Sequence, residues 1–250
     1  MSTTVENTEG ARSEATILDF HVSHHSHRDV NGGWLRPAVF GAMDGLVSNL
    51  ALITGVAGGH AATRTIVITG LVGLAAGAFS MAAGEYTSVA SQRELVEAEL
   101  AVELRELHRN PHDEQRELAA LYQARGVEAE LAAEVARQLS ADPEKALEVH
   151  AREELGVDPS DLPSPLVAAV SSFGSFAAGA LLPVLPYLLG THHLWPALLL
   201  ALIGLFGCGA VVARVTARSW GFSGLRQLVL GGAAAGVTFL LGTLFGTAVS

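Results

Sequence analysis

Two carboxylates sit where hydrocarbon is expected. Asp44 is the one acidic residue in the apolar run Pro37–Gly59, and Glu85 is the one in the run Thr65–Ala90. A carboxylate at the centre of a membrane helix costs on the order of 2.5–3.5 kcal/mol on insertion scales, so each needs a compensating partner. Hydrogen bonds from Ser48, Asn49 or Ser88 would compensate without any ion. The alternative is a path for protons or metal cations, the default role of a carboxylate at membrane depth. Met81, Glu85, Ser88 and Gln92 are spaced i, i+4, i+7 and i+11 and so share one helix face. A thioether one turn from a carboxylate offers soft and hard donors together. That pair suits a transition metal such as Fe2+ better than Mg2+ or Ca2+, which take oxygen alone. The expected pathway set is Asp44, Ser48, Asn49, Met81 and Glu85.

A second group of donors lies in polar sequence. Glu103 and Glu106 form one ExxE pair and Glu114 and Glu117 another, and residues three apart share a helix face. The Asn110-Pro111 break lets the two helices fold back so that the pairs meet, and His150 with Glu154 supplies a third edge. Inward carboxylates on neighbouring helices are how bundles hold di-iron or di-manganese centres. Glu is also common on solvated helices, and spacing alone leaves both readings open. His150 must be neutral to ligate, with an unperturbed pKa near 6.5, while ordinary carboxylates titrate about two units lower. Loss of metal affinity on acidification is therefore expected to belong to His150, and His150→Met is expected to flatten it. His21, His24, His25 and His27 read as a weak, nonspecific chelating patch, and His192 and His193 as interfacial loop residues. Cys208 stands alone, which excludes a disulfide or thiolate metal cluster within one chain.

The elements that must position these residues follow from hydropathy. Half of the 250 residues are apolar and only 16% are charged, with a mean hydropathy of +0.37. An ordinary soluble domain carries about a quarter charged residues. The acidity is confined: Glu94–Asp161 holds 18 Asp/Glu against 7 Lys/Arg, a net of −11 where the whole chain has −10, and no acidic residue follows Asp161. Such a block repels phosphates, so nucleic acid is excluded as a partner. Five runs are long enough to span a bilayer: Pro37–Gly59, Thr65–Ala90, Pro165–Leu189, Leu194–Ala213 and Gln227–Val249. The expected fold is all-α, a polytopic membrane protein of five transmembrane helices with a helical cytoplasmic domain inserted between spans two and three. Residues 1–33 are expected to form a disordered tail without a cleavable signal, 34–91 spans one and two, 92–162 the acidic domain, and 163–250 spans three to five.

Within the acidic domain, helices are expected over Arg93–Arg109, continuing span two, then Asp113–Arg125, Glu128–Leu139, and a last one capped at Asp142-Pro143 and stopped by Gly156. Gly41/Gly45 and Gly55/Gly59 are GxxxG pairs that permit close helix crossing. A crossing between two subunits there would set two Asp44 side chains face to face. Pro183 and Pro186 mark a hinge or a kink in span three. Arg36, Arg93, Arg105, Arg214, Arg218 and Arg226 all fall on one side of the alternating spans. The positive-inside rule places that side, with the N-terminus and acidic domain, in the cytoplasm and the C-terminus outside. The plasma membrane is the expected location.

The run Phe40-Gly41-Ala42-Met43-Asp44-Gly45-Leu46-Val47-Ser48-Asn49 resembles the first-span motif of vacuolar iron transporters and their bacterial relatives. Met81-Ala82-Ala83-Gly84-Glu85-Tyr86-Thr87-Ser88-Val89 resembles their second-span motif. The resemblance runs from about Leu35 to the C-terminus and includes the domain after span two. It implies a homodimer in the lipid bilayer that exchanges cytosolic Fe2+, and often Mn2+, for protons, with no permanently bound cofactor. It implies metal contact at Asp44 and Met81, on a pathway between subunits. It also implies metal binding at Glu103, Glu106, Glu114, Glu117 and Glu154 in the cytoplasmic domain. This chain departs from the pattern at His150-Ala151, where the family carries two adjacent Met residues. Two other readings compete: a membrane-anchored di-iron oxidase or iron store, and a metal sensor. An oxidase needs no intramembrane carboxylate, which separates it from a transporter.

Overall fold

The computed structural model describes residues 33–216 and 218–249, and every regular element among them is helical. The expected tail, with its four histidines, lies outside the described residues. Helix α1 covers Leu35–Gly58, α2 Thr63–Arg109, α3 Pro111–Ala124, α4 Ala129–Leu139 and α5 Pro143–His150. A single π-helical turn, Ala151–Leu155, follows α5, and α6 (Pro165–Leu188), α7 (Leu194–Thr216) and α8 (Trp220–Val249) complete the chain. Five of these, α1, α2, α6, α7 and α8, are long and apolar enough to cross a membrane. Val72, Phe79, Val170, Ile203 and Phe245 are all more than half exposed. A band of that size would be an aggregation hazard in water and is an ordinary surface towards lipid.

Helix α1 is central, packed by α6, α8, α2 and α7. Leu46 and Leu50 pack with Leu205 of α7, while Ile53 packs with Val184 and Tyr187 of α6. The approach is close because glycines remove the side chain at the crossings. A Cβ on Gly45 would lie 2.3 Å from the Phe176 carbonyl oxygen of α6, and one on Gly242 of α8 would lie 1.9 Å from that of Gly55. The glycine pairs of α1 therefore meet α6 and α8 of the same chain, not a second copy. Helix α6 runs through Pro183 and Pro186 without a break, so neither acts as a hinge that divides it.

Helix α2 is one rod of 47 residues. At 1.5 Å per residue this is roughly 70 Å, more than twice a hydrocarbon core, so its charged half extends beyond the apolar layer. The expected continuation of span two past Arg93 is present. Helix α8 begins at Trp220, seven residues before the expected Gln227. Hydropathy registers Arg226 and Gln227 as a boundary, but helical backbone continues through both into the polar interface.

Helices α3 and α5 fold onto the charged half of α2, and α4 packs on α3 and α5, with Ala136 of α4 against Leu118 and Ala119 of α3. Helix α3 starts at Pro111, because proline fits a first turn where its missing N–H is not needed. The Asp142 side chain caps α5 by accepting from the Glu144 N–H at 3.1 Å. The last helix does not stay α-helical to Leu155 as expected. It widens into the π turn and stops at Gly156, whose φ of 67° suits glycine, with the Val157 N–H donating to the Ala151 carbonyl at 3.1 Å.

Candidate functional site

The membrane helices enclose a cavity of about 270 Å3, open on one side. Asp44, Ser48, Asn49 and Leu52 of α1 line it, with Gly73, Gly77, Ser80 and Met81 of α2 and Phe176 of α6. Asp44, Ser48 and Leu52 fall one turn apart on one face, and Gly73 and Gly77 opposite admit the Leu52 and Phe176 side chains that wall the cavity. The compensating hydrogen bonds to the carboxylate do not form. Ser48 Oγ donates 2.6 Å to the backbone carbonyl of Asp44, not to its side chain. Asn49 Nδ2 donates to the carbonyls of Gly70 at 3.2 Å and Ala180 at 2.6 Å, tying α1 to α2 and α6. Its Oδ1 is buried without a partner, on the side of Gly73, where a Cβ would come within 2.9 Å of it. An unpaired buried acceptor costs about 1–3 kcal/mol unless something fills it. A carboxylate, a thioether, a hydroxyl and an unpartnered amide oxygen around one cavity form a donor set for a divalent transition metal. Glu85 is half-buried one turn beyond Met81 and does not line this cavity. Four of the five expected pathway residues meet, and Glu85 stands apart.

The second site forms where α2, α3 and α5 meet. His150 is wholly buried, with Nδ1 2.8 Å from Glu154 Oε1, 3.0 Å from Glu103 Oε1 and 3.9 Å from Glu114 Oε2. Glu103 Oε1 and His150 Nε2 have no hydrogen-bond partner though both are buried. Burial, followed by the charge of Glu154, pushes the Glu103 carboxyl up to about 7; His150 opposes this, and Glu114 and Glu117 add to it. Burial likewise raises Glu114, helped by Glu117, Glu154 and Glu106 and opposed by His150. Glu103, Glu114, His150 and Glu154 are in contact range. Glu106, which accepts from Asn110 Nδ2 at 2.9 Å, and the exposed Glu117 act on them at longer range. Like charges held this close favour a proton or a metal cation between them.

The raised Glu103 changes the expected pH response. A carboxyl titrating near 7 must lose its proton before it ligates, so protons compete with metal there even without the imidazole. In Mn2+ titrations of the purified full chain, affinity is expected to fall as pH drops through 7. His150→Met is expected to keep much of that dependence and Glu103→Gln to remove more of it; the reverse order would return the effect to His150.

The π turn is held by contacts that the sequence did not signal. Arg125 pairs with Glu153, and its Nη2 donates 3.3 Å to the Glu153 carbonyl, while Tyr122 Oη donates 3.4 Å to Glu153 Oε1. These side chains at the C-terminal end of α3 hold the turn that carries Glu154 to His150. Arg125→Gln is expected to weaken Mn2+ binding by roughly tenfold, the scale typical of outer-shell ligands. Calorimetry in an Asp44→Asn background reads the soluble site alone. Unchanged affinity would mean the turn holds itself.

Residues 35–243 match the model of the VIT family. A vacuolar iron transporter of Acanthamoeba castellanii is 42% identical over 166 residues, covering 66% of this chain and 60% of that protein. Vacuolar iron transporter homolog 5 of Oryza sativa subsp. japonica is 37% identical over 220 residues, covering 85% and 80% respectively. Vacuolar iron transporter 1 of Arabidopsis thaliana is 30% identical over 177 residues, covering 71% and 70%. These relatives are named for the vacuole, which overturns the expected plasma-membrane location. The physical reason is simple: the positive-inside rule reports which side faces the cytosol and says nothing about which membrane is crossed. The matched family, five membrane-length helices and the resemblance of both span motifs agree, and the chain belongs to the VIT family.

Proposed function

We propose that this chain is a secondary transporter that carries Fe2+ out of the cytosol across a membrane in exchange for protons, with Mn2+ as a second cargo. The observation that carries the reading is the Asp44 cavity. Asp44 lines it together with Met81 and Asn49, whose side-chain oxygen is unpartnered, inside membrane-length helices and without a hydrogen bond to the carboxylate among the described residues. Names of relatives as iron transporters support the cargo. The acidic domain lies on the cytosolic side and loads metal through Glu103, Glu114, His150 and Glu154, with Glu106 and Glu117 deepening the negative field. Because the cavity is open on one side, a homodimer in which a second copy closes it completes the pathway. Glu85, outside the cavity, takes the proton role. Glu85→Gln keeps the shape and removes the titratable group, so flux loses most of its pH dependence.

The test is Fe2+ entry into proteoliposomes, with and without an imposed pH gradient. Entry above protein-free vesicles that rises with the gradient supports the reading. Entry no faster than in empty vesicles would sink it.

A further inference from the structure

Away from the transport cavity, the membrane helices hold an apolar cavity that shares a wall with a second, arginine-lined one. It lies between the N-terminal half of α1 and the C-terminal half of α7, with a volume of about 440 Å3. Ala38 and Ala42 of α1 line it with Gly207 of α7, whose missing side chain leaves open space. Val211 closes one end and also lines a second cavity of about 400 Å3, whose wall carries Arg214, Arg218 and Trp220. Among the described residues, no acidic side chain lines either cavity. Trp34 lines the first cavity and Trp220 the second, 56% and 65% exposed. Tryptophan rings mark the headgroup level of a bilayer, so the two cavities run from headgroup depth into hydrocarbon.

We propose that this pair of cavities is a site for one anionic phospholipid, its phosphate on Arg214 and Arg218 and one acyl chain in the α1–α7 cavity. The guanidinium fork matches a phosphate in shape and charge, and basic pockets between membrane helices take anionic headgroups in this way. A zwitterionic lipid carries its own cation, which a guanidinium repels. Free phosphate has no tail to fill the apolar part. Met43 lines the lipid cavity while Asp44 lines the transport cavity, so the lipid rests against the α1 turn that carries the metal-facing carboxylate.

The experiment titrates the detergent-purified full chain with dioleoyl phosphatidylglycerol, dioleoyl phosphatidylcholine or inorganic phosphate, and reads bound adducts by native mass spectrometry. Phosphatidylglycerol is expected to bind roughly fivefold more tightly than phosphatidylcholine, the worth of about one basic side chain at a membrane surface. Arg218→Gln is expected to remove roughly that fivefold preference. Gly207→Leu tests the tail separately: a Cβ there meets nothing within 4 Å, so the new side chain enters the cavity without disturbing the fold. It is expected to weaken phosphatidylglycerol by on the order of tenfold, since several methylenes lose their place. Equal binding of the two lipids, or phosphatidylglycerol binding unchanged in both variants, would overturn the site. Inorganic phosphate binding as tightly as the lipid would overturn it too, by making the arginines a free-anion pocket.

Discussion

Asp44→Asn is expected to stop metal flux while leaving the five-helix bundle folded. The substitution keeps the shape of the side chain and removes only its charge, in a cavity where no described residue donates a hydrogen bond to it. The packing that holds α1 runs through other residues: Gly45 against Phe176, Asn49 to the Gly70 and Ala180 carbonyls, Leu46 and Leu50 against Leu205. Loss of a direct ligand should exceed the 10–100-fold typical of outer-shell changes, so flux is expected to fall by on the order of 100-fold or more. The measurement is initial Fe2+ flux in proteoliposomes matched for protein content, with size exclusion and helicity confirming the fold. Flux within a few-fold of wild type would remove Asp44 from the pathway.

Glu103→Ala combined with Glu154→Ala is expected to abolish binding at the soluble site. Both carboxylates lie within 3.0 Å of His150 Nδ1, and together they supply most of the charge that faces the imidazole. A Mn2+ titration in the Asp44→Asn background should show affinity lowered by on the order of 100-fold. With Asp44 intact, the same double variant should transport slowly at low metal concentration and near normally at high concentration, because the membrane cavity remains. Transport that is equally impaired at every concentration would make the acidic domain an obligatory part of the path instead of a loading site.

Much of this arrangement was legible because it rests on strong local signals. Five apolar runs mark five helices, and Asn110-Pro111 marks the turn that returns α3 to α2. Asp44 and Met81 were legible as chemistry because a carboxylate in an apolar run needs an explanation and a thioether nearby narrows it. The i, i+4 pairing of His150 with Glu154 survived the change of helix type at Ala151. What escaped the sequence depends on distant contacts. Periodicity placed Glu85 on the Met81 face, but whether a residue lines a cavity depends on what the neighbouring helices leave open. The glycine pairs of α1 announce a close crossing without naming the partner, which proved to be α6 and α8 of the same chain. The Arg125–Glu153 clamp joins residues 28 apart in sequence and has no periodic signature. The raised pKa of Glu103 is likewise a product of burial and converging charge, not of its neighbours in the chain.

The central claim is that metal crosses the membrane through the Asp44 cavity against a counterflow of protons. It is tested most directly by recording both ions at once in proteoliposomes, with an Fe2+-sensitive dye and a pH-sensitive dye inside the same vesicles. Wild-type protein is expected to admit Fe2+ and release protons on the same time course, and an imposed pH gradient should accelerate both, while Asp44→Asn shows neither flux. Fe2+ entry with no proton movement, or equal entry through Asp44→Asn, would contradict the account.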